Sequence, residues 1–106
     1  MSVAVPATVR SDPVVVAVST GATSPALARS LREQIADTIE GAGAMAELSG
    51  ELRTDLAATD LDPAARREAI RTVVRNDGVW KALDTGIDKA EQRATDVIED
   101  VTGDPP

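Results

Sequence analysis

Seven of the chain's twelve valines fall within its first eighteen residues, and beyond that point apolar residues recur at helical spacing. This switch from a β-branched run to a three- and four-residue period is the strongest constraint on the fold. Val3, Val5 and Val9 surround Pro6, the pattern of an edge or irregular strand. Ser11-Asp12-Pro13 supplies a turn, and Val14-Val15-Val16-Ala17-Val18 is a short apolar run that reads as a second strand. Pro25 stands where a first helical residue belongs, with Ser24 as its N-cap. Leu27, Leu31, Ile35 and Ile39 then make one helical stripe that ends at Gly41.

A second helix is expected from about Ala44 to Ala58, carrying Met45, Leu48, Leu52 and Leu56. Asp62-Pro63 repeats the cap-then-proline signal and opens a third helix through Ile70, Val73 and Val74. After Asn76-Asp77-Gly78 a short helical piece holds Val79, Trp80 and Leu83, and a last helix uses Ile87, Ala90, Ala94, Ile98 and Val101. The expected class is α+β, short N-terminal strands followed by about four to five helices. The expected organisation is a strand-loop-helix region over 1–41, a helical region over 42–102 and a frayed tail over 103–106. Two strands make no independently stable sheet, so further strands must come from a second copy or from an upstream domain. A homodimer is the economical expectation.

Composition narrows the chemistry. The 106 residues include no Phe or Tyr and a single Trp, so the core must be built from aliphatic residues and alanine, with close backbones. Trp80 reads as a packing anchor. Without Cys or His there is no disulfide framework, zinc site, cysteine nucleophile or Ser-His-Asp triad. A net charge of −7 with one aromatic supplies neither a cationic track nor a stacking platform for nucleic acid. No apolar run reaches membrane-spanning length, and Met1 to Ala7 lacks the basic start of a signal peptide, so the expected setting is cytoplasmic, away from membranes. Eighteen acids face nine Arg and two Lys beside eighteen Ala. That balance fits a salt-loving source, and equally an ordinary acidic protein from a GC-rich genome.

One segment has chemical character. Ser19-Thr20-Gly21-Ala22-Thr23-Ser24 joins the second strand to the first helix with four hydroxyls and a glycine. Free N–H groups at a helix start carry partial positive charge, hydroxyls add donors, and Gly21 permits close approach of backbone to ligand. Arg29 and Arg32 follow within two turns, where guanidinium groups clamp carboxylates. The pattern suits an anion, carboxylate or phosphate; it is also what a plain cap and turn looks like. It lacks the Gly-Lys-Ser/Thr ending of a Walker loop. Asp37 with Glu40, and Glu47 with Glu51, sit at helical spacing, as chance pairs do in a chain this acidic. Arg66, Arg67, Arg71 and Arg75 place basic residues along the third helix, where they meet an anionic partner or simply balance local charge.

The stretch Val5-Pro6-Ala7, then Asp12-Pro13-Val14-Val15-Val16-Ala17-Val18-Ser19-Thr20-Gly21-Ala22-Thr23-Ser24-Pro25-Ala26-Leu27-Ala28-Arg29, with Leu31-Arg32 beyond it, resembles the precorrin-2 dehydrogenase/sirohydrochlorin ferrochelatase module of siroheme synthases. Gly43-Ala44-Met45-Ala46 through Arg66-Arg67 to Val79-Trp80-Lys81-Ala82-Leu83 is similar to that family's C-terminal helical part, in haloarchaeal-like versions, so the resemblance covers essentially the whole chain. Ala22 departs from it, standing where the family usually has a second glycine.

The resemblance implies siroheme biosynthesis: NAD-dependent oxidation of precorrin-2 to sirohydrochlorin, then insertion of ferrous iron. It implies that Ser19, Thr20, Gly21, Thr23, Ser24 and Arg29 line one wall of a site for a carboxylate-ringed tetrapyrrole. An intertwined homodimer is implied as well. The family's Rossmann domain with G-x-G-x-x-G/A and its catalytic aspartate precede the matching region, and no G-x-G-x-x-G occurs in these residues. The expectation is therefore a part of an enzyme that holds no NAD and is inactive alone. The alternative is a stand-alone tetrapyrrole-binding or dimer-partner module without catalysis.

Overall fold

The fold was analysed in a computed structural model, which describes residues 7–103. Two strands, β1 (Ala7–Ser11) and β2 (Val14–Val18), are followed by five helices: α1 (Pro25–Thr38), α2 (Ala42–Ala57), α3 (Pro63–Arg75), α4 (Asp77–Thr85) and α5 (Ile87–Thr102). The α+β arrangement expected from the valine distribution is the one observed. Val3, Val5 and Pro6 of the expected first strand, and the end of the expected tail, lie outside the described residues. The chain divides into two compact units, one up to Gly43 and one from Ala44 onward.

In the N-terminal unit β1 and β2 pair antiparallel, with Val9 opposite Val16 and Ser11 opposite Val14. Only Asp12 and Pro13 connect them, through a cis peptide bond. Side chains alternate across the ribbon. Val9 is buried and Val14, Val16 and Val18 are half-buried, while Thr8, Arg10, Val15 and Ala17 are exposed. Helix α1 packs against both strands. Yet no residue of α1 is buried, and Leu27 and Val15 stay 51% and 48% exposed. The unit has apolar faces on the ribbon and the helix but little core between them.

Gly43 fixes the far end of this unit. Its N–H donates to Ser11 Oγ at 2.9 Å, and a Cβ at this position would collide with the Asp12 carbonyl and sit 2.7 Å from the Ser11 carbonyl. Only glycine lets the backbone come this close to the hairpin turn.

The C-terminal unit is better packed. Met45, Leu48, Leu52, Leu56, Ala69, Val73, Val79, Ala90, Ala94, Val97 and Ile98 form one buried cluster, with Leu61, Ile70, Trp80 and Leu83 partly buried against it. Ala90, Ala94 and Ala69 are fully buried, and α5 packs against both α3 and α4. Small buried side chains are what let packed helices approach closely. Helix entries follow local chemistry. Asp62 Oδ1 accepts from Ala65 N–H at 2.7 Å with Pro63 as the first helical residue, and Asn76 Oδ1 accepts from Val79 N–H at 3.0 Å. Trp80 turns its indole N–H onto the Val74 carbonyl at 2.7 Å, satisfying an acceptor of the last turn of α3.

Because Leu56 is fully buried among aliphatic neighbours, Leu56→Ala is expected to destabilise the C-terminal unit by about 2–5 kcal/mol. Urea unfolding followed by the fluorescence of the single tryptophan, which packs on this cluster, measures it.

Candidate functional site

The loop from Ser19 to Ser24 is held by its own hydroxyls. Thr20 Oγ1 accepts from Ser24 N–H at 3.2 Å and donates to the Ser24 carbonyl at 3.1 Å, so one side chain spans the loop in both directions. Ser19 Oγ accepts from Gly21 N–H at 3.2 Å. Ser24, in extended conformation, accepts from Leu27 N–H at 3.3 Å and caps α1 ahead of Pro25. Thr23 N–H closes a turn onto the Thr20 carbonyl at 3.2 Å. The two central residues of that turn, Gly21 and Ala22, both have φ of 65°. Positive φ at both central positions is the type I′ pattern, which favours Asn or Gly because a Cβ is crowded there.

Of the residues expected to line the site, Ser19, Thr20, Gly21, Thr23 and Ser24 lie together in this loop, and Arg29 stands on α1 beyond it. Their roles differ. The hydroxyls of Ser19, Thr20 and Ser24 are engaged inside the loop. Among the described residues, the Thr23 hydroxyl and the Ala22 N–H make no hydrogen bond, and both residues are exposed. Ala22 was not in the expected set; its N–H is unpartnered among the described residues, and the advance signals were its place beside Gly21 and at the position where the resembled family usually has a second glycine. Arg29 is exposed and pairs with Glu33 at 3.5 Å, a contact one turn along the same helix that water screens heavily. Arg32 is exposed and has no ion pair among the described residues.

An open depression of about 370 Å³ runs beside the loop, lined by Pro25, Ala26, Arg29, Ser30 and Glu33. All five belong to α1, so the hollow has one wall and no opposing surface. The acidic pairs Asp37–Glu40 and Glu47–Glu51 are exposed side chains. Among the described residues no group of three carboxylates gathers to hold a metal ion. The ribbon is antiparallel, and Gly41-x-Gly43-x-x-Ala46 joins two helices instead of following a parallel strand, so these residues do not fit a dinucleotide. The arrangement is one-sided: the unpartnered Ala22 N–H and Thr23 hydroxyl, the Ser19 and Ser24 hydroxyls that accept in the loop and keep a proton to donate, and an exposed guanidinium on the capped helix, suited to carboxylate or phosphate oxygens.

A strand-loop-helix unit with a type I′ turn and an anion-suited loop, joined in sequence to an aliphatic helical unit, defines the class. The chain is similar to a siroheme synthase: it is 36% identical over 88 residues, 82% of its length, to the siroheme synthase of Methylococcus capsulatus. The chain spans 19% of that protein. No family model matches it, and no solved structure does. Among the described residues no helix is long and apolar enough to cross a membrane.

Ala22→Gly removes the left-handed cost of about 1–2 kcal/mol for an L-residue, offset by the greater unfolded freedom of glycine, about 0.5–1 kcal/mol. The expected outcome is a net gain of a few tenths to 1 kcal/mol, with slower amide exchange in the loop. Ala22→Val is expected to do the opposite, since a β-branched residue tolerates this φ least. Thermal unfolding and hydrogen exchange of the two variants test the pair.

Proposed function

We propose that this chain supplies the tetrapyrrole-binding loop and the dimerisation region of a precorrin-2 dehydrogenase, with or without ferrochelation, in siroheme biosynthesis. The observation that carries the reading is the loop itself, where Thr20 and Ser24 lock a turn that leaves the Ala22 N–H and Thr23 hydroxyl unpartnered among the described residues, with Arg29 exposed on the helix that follows. Sirohydrochlorin and its precursor are ringed by carboxylates, and such donors bind carboxylate oxygens without recognising the macrocycle itself.

The division of labour follows from the hydrogen bonds. Ser19, Thr20 and Ser24 position the loop; Gly21 allows its turn; Thr23, the Ala22 N–H and Arg29 face the substrate carboxylates. Hydride transfer to NAD and delivery of ferrous iron as substrate belong to residues outside this chain. These residues fit neither group, so this chain binds and orients. The one-walled hollow along α1 and the half-covered faces of Leu27 and Val15 support a homodimer in which a second copy completes both the sheet and the site.

Absorbance titration of the chain with sirohydrochlorin tests the reading. A saturable band shift is expected, weakened about tenfold by Thr23→Val or Arg29→Gln, as the loss of one charge-assisted or hydroxyl contact would give. The tetrapyrrole with its carboxylates esterified is expected to bind far more weakly. A shift that neither substitution nor esterification changes would overturn the assignment.

A further inference from the structure

Helix α1 carries its charges in an order that helix stability does not favour. Its charged residues are Arg29, Arg32, Glu33 and Asp37, so the cations come first and the acids after. The first turn holds no acid and the last turn no base. A helix dipole is complemented by acids near its N-terminal end and cations near its C-terminal end, and α1 has the reverse. The ion pair it forms, Arg29 with Glu33, also has the weaker order, with the cation ahead of the acid at a separation of four residues. The stability of α1 therefore gives no account of this pair.

Its position does. Arg29 and Glu33 both line the hollow beside the loop, together with Ser30, whose hydroxyl accepts from Gln34 Nε2 at 3.3 Å. Glu33 presents to Arg29 the same group that a substrate carboxylate would. At 3.5 Å the contact is longer than a close charge-assisted hydrogen bond, and the two side chains are 77% and 63% exposed. Water screens such a pair, so it opens easily. Tethered one turn away, about 6 Å along the axis, Glu33 is always at hand to close it again. Arg32 is exposed and has no ion pair among the described residues, so Glu33 is engaged with Arg29 alone. We propose that Glu33 is an internal competitor for Arg29, its carboxylate holding the guanidinium until a ligand carboxylate bound at the loop takes it over. This inference rests on the carboxylate-binding role proposed for the loop and adds a device that lowers the affinity of that site.

Absorbance titration of the full chain with sirohydrochlorin at about 0.05 M sodium chloride tests it, comparing the unaltered chain with E33Q, R29Q and R29Q/E33Q. Glutamine matches glutamate closely in size and helix propensity, and circular dichroism checks that each variant is folded. An exposed pair of this kind is weak, so E33Q is expected to tighten binding about two- to fivefold. R29Q/E33Q is expected to bind no tighter than R29Q, because no guanidinium remains to be released. The gain from E33Q should shrink at about 1 M sodium chloride, where the Debye length is about 3 Å. If E33Q leaves binding unchanged or weaker while R29Q and Thr23→Val still weaken it, this proposal is overturned and the loop reading stands. A gain of equal size with and without Arg29 would overturn it too, since Glu33 would then repel the ligand directly. Absence of a saturable shift in every form would remove the loop reading and this proposal together.

Discussion

The close approach of α5 to α3 and α4 is the constraint on which the C-terminal unit depends. A chain with one tryptophan and no other aromatic has few side chains wide enough to fill a gap between helices. It fills the space by removing it. Ala90, Ala94 and Ala69 are fully buried in one cluster with Leu48, Leu56, Val73 and Ile98. Any widening at the alanines would leave voids that leucine and valine cannot fill. Trp80 sits at the edge, where its ring packs on the cluster and its N–H ends a helix.

The N-terminal unit is organised by a different force. Its ribbon and helix bury Val9 and little else, so apolar burial is a weak source of order there. Hydrogen bonds with short sequence separations take its place: Thr20 with Ser24, Ser19 with Gly21, Ser24 with Leu27. The exception is the bond from Gly43 to Ser11, which ties residues 32 apart. A loop held locally keeps its shape even where the surrounding faces are thinly covered. That suits the proposed binding role, in which a second copy would supply the other wall.

How much was legible in the sequence follows from the range of these forces. The strand pair was written in the valine run and in Asp12-Pro13, and the helix entries were written in Ser24-Pro25, Asp62-Pro63 and Asn76, because capping acts over three residues. Boundaries set by distant contacts were not. The stripe through Ile39 suggested a helix up to Gly41, but α1 stops at Thr38, with Ile39 at φ −93° and ψ 7° as its cap. Helix α2 starts at Ala42, two residues ahead of the expected position, where the N–H of Gly43 finds the Ser11 hydroxyl. No local pattern announces a cap supplied by the hairpin turn.

The candidate site shows the same limit in reverse. Residue type alone treated every hydroxyl of the Ser19–Ser24 loop as an equal donor. A hydroxyl proton serves one acceptor at a time, and that of Thr20 is directed to the Ser24 carbonyl. The serine oxygens of the loop accept from backbone N–H groups, which holds them in place and leaves their hydroxyl protons to donate. The Ala22 N–H, which no residue-type pattern singles out, joins the donors of the loop and belongs to the binding role proposed for it. The left-handed turn that exposes this N–H strains its residue, since alanine stands where glycine would be at ease. Loop order and ligand donors therefore draw on different atoms, and substitutions that remove a donor need not disturb the turn that presents it.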